Sequence, residues 1–121
     1  MSVSIQSHVA GNVAVVRLCG HFSALDSTIL RDVVRGLIEK GIRQIVFNLA
    51  ELTYIDSFGL GQLVAAYTTV RSERGNVKLV KPNEWVRELL RITKLDTVFE
   101  ILSNEPSAIQ TPAAAGMSRA A

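Results

Sequence analysis

The sequence predicts one α/β domain with a mixed, mostly parallel β-sheet and about four helices. Two apolar, β-rich runs flank the turn Ala10-Gly11-Asn12, which indicates an antiparallel hairpin. After residue 20, short apolar runs alternate with segments of helical period, which is typical of strands and helices packed in layers. We therefore expect the element order β-β-α-β-α-β-α-β-α over residues 1–110.

The strands are predicted from short apolar runs. The first run alternates apolar and polar residues, which is the period of a strand with one buried face. Gly20 is expected to end the second strand. The predicted strands cover residues 3–9, 13–19, 45–49, 77–80 and 98–102.

The first helix is predicted to begin at Ser23, a typical N-cap, with Asp26 in the position of a capping-box acid. Gly41 is expected to end it, because a glycine accepts the left-handed backbone that follows many helices. Apolar residues recur between these limits at three- and four-residue spacing. They are Leu30, Val33, Val34, Leu37 and Ile38.

Three more helices are expected towards the carboxyl end. The second covers residues 57–74 and stops at Gly75, the third starts near Pro82, and residues 105–110 form a short fourth. The third is marked by Val86, Leu89, Leu90 and Thr93. Residues 111–121 contain almost no large apolar side chains, so we expect a mobile tail.

Composition indicates an ordinary soluble domain. The 121 residues are 48% hydrophobic and 20% charged, with a net charge of +2. Lysines and arginines are scattered, so we expect neither nucleic-acid nor membrane binding. Cys19 is the only cysteine, which excludes a disulfide within the chain. Without a signal segment or a run of about 20 apolar residues, we expect a cytoplasmic location.

The stretch Tyr-Ile-Asp-Ser-Phe-Gly-Leu-Gly-Gln-Leu, residues 54–63, carries the clearest chemical pattern. Asp56 and Ser57 stand at the predicted start of a helix, where unpaired N–H groups and a partial positive charge favour an anion. Either residue could simply cap the helix. Gly59 and Gly61 would leave room for another backbone or a nucleotide to approach the first turn.

Residues 54–61 resemble the Asp-Ser-x-Gly-Leu signature of STAS domains, the fold shared by sulphate transporters and bacterial anti-sigma factor antagonists. Residues 45–55 are similar to the strand and loop that lead into this signature. Gly20-His-Phe is similar to the family's Gly-x-Leu turn before the first helix, and the strand 77–80 with the helix after it fits the later part. The resemblance covers residues 3–110.

The resemblance implies a phosphorylation switch at Ser57. The implied partner is an anti-sigma factor that is itself a serine kinase, and the unmodified antagonist binds it and frees the sigma factor. A serine phosphatase would restore the unmodified form. Residues expected to contact the partner are His21, Ser23, Asp56, Ser57, Phe58 and Gly59.

Two positions depart from the family pattern. Phe58 stands where the family usually has a small residue such as serine or alanine. Its ring could anchor a partner or restrict access to Ser57. Ser23 stands where many phosphorylated antagonists have an aspartate after the Gly-x-Leu turn.

Other classes of function are left open. Catalysis would need a base beside Ser57, for which His21 is a candidate, but the Gly-x-Ser-x-Gly elbow is absent. His21 is expected in a loop and His8 on a strand. Neither metal-ligand spacing nor a nucleotide motif is present, so no cofactor is expected.

A scaffold or lipid-transport accessory STAS protein would bind partners without phosphorylation. Trp85 is expected to be a partly buried core aromatic rather than a partner anchor.

Overall fold

A computed structural model describes residues 3–23 and 28–110 of the chain. Its elements, in chain order, are β1 (Val3–Ala10), β2 (Val13–Phe22), α1 (Ile29–Glu39), β3 (Gln44–Asn48), β4 (Leu52–Ile55), α2 (Ser57–Ser72), β5 (Asn76–Val80), α3 (Glu84–Ile92), a 3₁₀ turn (Leu95–Thr97), β6 (Glu100–Leu102) and α4 (Glu105–Gln110). The predicted tail, residues 111–121, lies outside the described residues.

The mixed, mostly parallel sheet is confirmed. Within the described residues it has six strands, in the order β1-β2-β3-β5-β6, with β4 paired to β2 off this path. Only the amino-terminal hairpin β1–β2 is antiparallel, while β2–β3, β2–β4, β3–β5 and β5–β6 are parallel. The fold class predicted from the sequence is therefore correct, but the predicted element order lacked the strand β4, which lies between β3 and α2.

The strand β2 is longer than predicted because it has two parallel partners in succession. Residues 13–17 pair with β3, and Gly20, His21 and Phe22 pair with β4. Gly20 does not end the strand: it has a φ of 95°, and the register shifts between Gly20 and His21. A bulge of this kind re-aims a strand without ending it. The predicted loop position of His21 is therefore wrong.

The predicted start of α1 is also wrong. The helix begins at Ile29, its N-cap is Thr28, and Thr28 makes no side-chain capping hydrogen bond. Ser23 lies in a bend directly after β2, and Asp26 lies outside the described residues. Pairing with β4 extends β2 to Phe22. Ser23, which was expected to start the helix, therefore lies in the connection between β2 and α1.

The other helix predictions agree closely with the structure. Gly41 has a φ of 89° and donates its N–H to the carbonyl of Ile38 at 2.9 Å, so it ends α1 as expected. Gly75 follows α2 because a side chain does not fit there: an added Cβ would lie 2.3 Å from the carbonyl oxygen of Arg43. The last strand is shorter than expected and begins at Glu100.

The core has two parts, one on each face of the sheet. Helices α1, α2 and α3 cover the first face, where Phe22, Phe47 and Leu63 are fully buried. Alternate strand residues point to the second face, which α4 covers. That second part consists of Val13, Val15, Val46, Val80 and Ala108.

Side-chain hydrogen bonds hold α4 against the second face of the sheet. Arg17 donates two hydrogen bonds of 3.1 Å to the carboxylate of Glu105, and the Asn48 side chain donates to the same carboxylate. Burial alone would raise the pKa of Glu105, but the hydrogen bonds from Asn48 and Arg17 and the Arg17 charge outweigh it and hold that pKa below its usual value. The ionised form of Glu105 is therefore the one that stabilises the fold.

We expect Glu105→Gln to lower the unfolding free energy by about 1 kcal/mol at neutral pH, a value kept small because the Arg17 side chain is 43% exposed. A carboxyl with a lowered folded pKa contributes stability above its unfolded pKa and loses it as the pH falls through the folded value. Urea denaturation at a series of pH values should show the difference between wild type and variant shrinking in the acid range. A difference independent of pH would contradict this role for Glu105.

Candidate functional site

The start of α2 is capped by Asp56, as one of the two predicted alternatives requires. Its Oδ1 accepts a hydrogen bond from the backbone N–H of Gly59 at 2.9 Å. Its backbone carbonyl accepts the first helical bond from Leu60 at 2.9 Å. Since Asp56 satisfies the cap, the hydroxyl of Ser57, the first residue of the helix, is not needed for that purpose.

The first turn of α2 lies directly against the end of β2. The backbone N–H of Asp56 donates to the carbonyl oxygen of Phe22 at 3.3 Å. A Cβ on Gly59 would lie 2.4 Å from that same oxygen and 2.9 Å from a side-chain carbon of Ile55. Of the two predicted reasons for a glycine here, another backbone or a nucleotide, the structure shows the first: the backbone of Phe22 leaves no room for a side chain at position 59.

The close approach predicted at Gly61 stays a prediction, because no described part of this chain makes it. A Cβ at this position would have nothing within 4 Å, and the residue is exposed. Of the two glycines, Gly59 is the one that the backbone of this chain approaches closely.

Ser57 is exposed at the carboxyl edge of the sheet, where β4 ends and α2 begins. Among residues 3–23 and 28–110, no hydrogen bond joins Ser57 to His8 or His21. The ring of His21 packs against Tyr54 instead, with 5.4 Å between the ring centroids. The Ser57 hydroxyl is accessible to another protein.

An aromatic row, formed by His21, Tyr54 and Trp85, lies at the same edge. His21 and Tyr54 are paired residues of β2 and β4, and Tyr54 stacks on Trp85 at 5.2 Å with an interplanar angle of 21°. Tyr54 is 40% exposed and Trp85 48% exposed. The prediction that Trp85 is a core aromatic is therefore wrong.

Asn83 holds Trp85 in this row. Its Oδ1 accepts from the N–H of Val86 at 2.8 Å, which caps α3, and its Nδ2 donates to the carbonyl oxygen of Leu52 at 3.0 Å. One side chain thus ties the start of α3 to β4. The sequence indicated a helix start near Pro82 but not this second bond, because Leu52 lies 31 positions earlier in the chain.

The predicted site residues come together around the end of β2. His21 and Ser23 flank Phe22, whose carbonyl contacts the turn that carries Asp56 and Ser57. The ring of Phe58 is 50% exposed on that turn. Tyr54 was not predicted as a site residue, although its place two residues before Asp56 in a β-rich run was a usable signal.

The site offers hydrogen-bond donors and exposed rings rather than metal ligands. The first turn of α2 contains no acidic residue, so the partial positive charge of the helix end is opposed only by the N-cap Asp56. Within the part of the chain that the structure describes, no group of three or more His, Cys, Asp or Glu side chains could hold a metal ion. Nor is any described helix long and apolar enough to cross a bilayer.

Comparison with known protein families decides what kind of domain this is. The STAS domain model matches residues 4–108, which include β2 to β6, all of β1 except Val3, and the site around Ser57. The chain belongs to the STAS domain family. The resemblance inferred from residues 54–61 is thereby confirmed.

Relatives of this STAS domain are anti-sigma factor antagonists by name. The anti-sigma-B factor antagonist of Bacillus subtilis is 26% identical over 110 residues, which are 91% of this chain and 100% of that protein. A candidate anti-sigma factor antagonist of Thermotoga neapolitana is 37% identical over 73 residues, or 60% of this chain. That match spans 65% of the length of the Thermotoga protein.

A solved structure supports the same family. The crystal structure of a candidate anti-sigma factor antagonist of Thermotoga maritima superposes with a TM-score of 0.81 at 25% identity. The superposition covers 88% of this STAS domain and 92% of the Thermotoga chain. The architecture of the STAS domain described above is therefore shared across nearly its whole length.

We expect Gly59→Ala to lower the unfolding free energy by about 1–3 kcal/mol, because its Cβ would overlap the carbonyl oxygen of Phe22. The matched control is Gly61→Ala in the same helix, which meets open space and should raise it by up to about 1 kcal/mol. Thermal and urea unfolding of both variants measure the two effects. Equal effects would contradict the assigned contact.

Proposed function

We propose that this STAS domain is an anti-sigma factor antagonist switched by phosphorylation of Ser57. In the unmodified form it binds an anti-sigma factor kinase through the first turn of α2 and so frees the sigma factor. Names of relatives such as the Bacillus subtilis antagonist support the class. The observation that carries the switch is the exposed Ser57 beside the N-cap carboxylate of Asp56.

The helix end can hold a phosphate without loss of the fold. A phosphoserine carries roughly −1.5 to −2 charges at neutral pH, and a helix N-terminus stabilises an anion. Ser57 is exposed, so its modified side chain stays hydrated in the free domain. The bond from Gly59 to Asp56 and the contact of Gly59 with Phe22 do not involve the Ser57 hydroxyl. Phosphorylation therefore leaves the capped turn in place.

The same phosphate opposes docking. In a complex it would lose water while it stands next to the Asp56 carboxylate, which cannot move away because it is bonded to Gly59. Two neighbouring anions in a water-poor interface repel each other, and neither has a compensating cation on this turn. Ser57 is thus a switch for binding rather than for folding.

The surface around Ser57 has the composition of an interface. Phe58, Tyr54 and Trp85 are each 40–50% exposed, and aromatic side chains of this kind are enriched among the residues that contribute most to protein binding. The aromatic row is held by strand pairing and by Asn83, so little side-chain freedom is lost on docking. A serine phosphatase that restores Ser57 completes the cycle.

Phe58 also supports a second candidate function. A half-exposed ring directly after the acceptor serine favours a STAS scaffold or lipid-transport accessory protein that binds its partner without being modified. This alternative uses the same docking edge and differs only in the fate of Ser57. The phosphorylation experiment separates the two.

We expect incubation with ATP and a candidate anti-sigma factor kinase to add one phosphoryl group to the wild type and none to Ser57→Ala, measured by intact mass. Circular dichroism and thermal unfolding of the phosphorylated form should match those of the unmodified form. An unmodified wild type in the presence of a kinase that binds it would favour the scaffold function.

The repulsion can be isolated with two further variants. Ser57→Asp should lose affinity for the kinase by tenfold or more, about 1.4 kcal/mol. Asp56→Asn keeps a good N-cap but removes the fixed charge, so phosphorylation should weaken its binding less than it weakens the wild type. Undiminished binding of Ser57→Asp, measured by calorimetry, would count against the mechanism.

Trp85 gives a direct optical test of the docking surface because it is the only tryptophan in the chain. Its emission should shift to shorter wavelength when the kinase binds, and Trp85→Ala should weaken binding by about tenfold or more. Ile92→Ala is the matched control, since Ile92 is 62% exposed at the other end of α3. Unchanged emission on saturation would place the docking surface elsewhere.

A further inference from the structure

A groove of about 200 Å³ runs between α1 and α2 and has no part in the site described above. Buried Val34 and Ala66 form its base, together with the exposed Ala65. The small alanine side chains leave the space between the helices open. Arg31 and Arg35 of α1 line one wall, and Gln62 and Thr69 of α2 line the other.

The charged side chains that line the groove are both positive and both belong to α1. Arg31 and Arg35 are exposed and one helical turn apart, so both lie on the same face of α1. Among residues 3–23 and 28–110, no acidic side chain lines the groove and neither guanidinium is in a salt bridge. By contrast, Arg17, Arg43 and Arg91 are paired with carboxylates of this chain.

The spacing of Arg31 and Arg35 along α1 favours a ligand that carries two carboxylates at a matching separation. Arg31 and Arg35 are four residues apart, which is about 6 Å along the axis of α1, and carboxylates four residues apart on a partner helix have the same separation. The planar guanidinium group binds a carboxylate through two parallel hydrogen bonds. Between the two ion pairs, an apolar side chain of the ligand would lie over Ala65 and Ala66.

We propose that this groove binds an acidic helical segment of a protein partner, with two carboxylates one turn apart on Arg31 and Arg35. Gln62 and Thr69 supply polar contacts on the opposite wall. The groove begins roughly 7–8 Å along α2 from Ser57, so a partner at the docking edge can reach it. The inference goes beyond the proposed function and does not depend on phosphorylation of Ser57.

The probe is a short, capped helical peptide with two glutamates one turn apart and a leucine between them. Titration of the isotope-labelled, unphosphorylated domain should give saturable NMR shifts at Arg31, Arg35 and Gln62. Affinity should fall about tenfold or more for Arg31→Glu/Arg35→Glu, and also when the glutamates of the peptide are replaced by glutamines.

Two further variants separate charge from shape. Ala65→Leu fills the groove without changing charge and should also abolish binding. Arg87→Glu/Lys94→Glu makes the same change in net charge at exposed positions of α3 and the turn after it, away from the groove, and should bind as the wild type does.

Several results would overturn the proposal. They are equal binding by Arg31→Glu/Arg35→Glu, shifts that map outside the groove, no saturable binding, or the same saturable shifts with inorganic phosphate alone, which would indicate a small-anion site. Because the titration contains no kinase and no ATP, a failure here says nothing against the switch at Ser57. Conversely, loss of the switch leaves the peptide titration unaffected.

Discussion

The close contact between the first turn of α2 and the end of β2 determines the geometry of the whole docking edge. The carbonyl of Phe22 accepts a hydrogen bond from Asp56 and leaves no room for a side chain at Gly59. This contact aligns the helix end with the strand, and so it brings His21 and Ser23 beside Ser57. The parallel pairing of β2 with β4 has a similar effect. It places Tyr54 and the N-cap residue Asp56 beside the end of β2.

The fold and the site differ in how far local sequence determines them. The hairpin, α4 and the cap at Asp56 follow from turn residues, periodicity and capping chemistry, which act over a few neighbouring positions. The strand β4 was missed because Leu52–Ile55 is short, with two exposed residues between buried ends, and its partner lies some 30 positions earlier. Without β4, Gly20 resembled the end of a strand and Ser23 the start of a helix.

The contact between Tyr54 and Trp85 could not be predicted for the same reason. Trp85 in isolation resembles a core residue, since large aromatic side chains usually bury most of their area. Its position in the aromatic row results from stacking on Tyr54 and from the bond between Asn83 and Leu52, and both contacts join parts of the chain that are distant in sequence. Site residues within or beside the recognised motifs, including His21 and Ser23, were therefore predictable, while the pairing of Tyr54 with Trp85 required the fold.

The two hydrogen bonds of the Asn83 side chain affect how the docking surface recognises a partner. Because they join α3 to β4 through one side chain, the rings of Tyr54 and Trp85 belong to a single rigid unit with the sheet. Such a preorganised surface changes its shape little on docking. We therefore expect adjustment of shape during complex formation to come mainly from the partner, and different partners to be distinguished by how well they fit this surface.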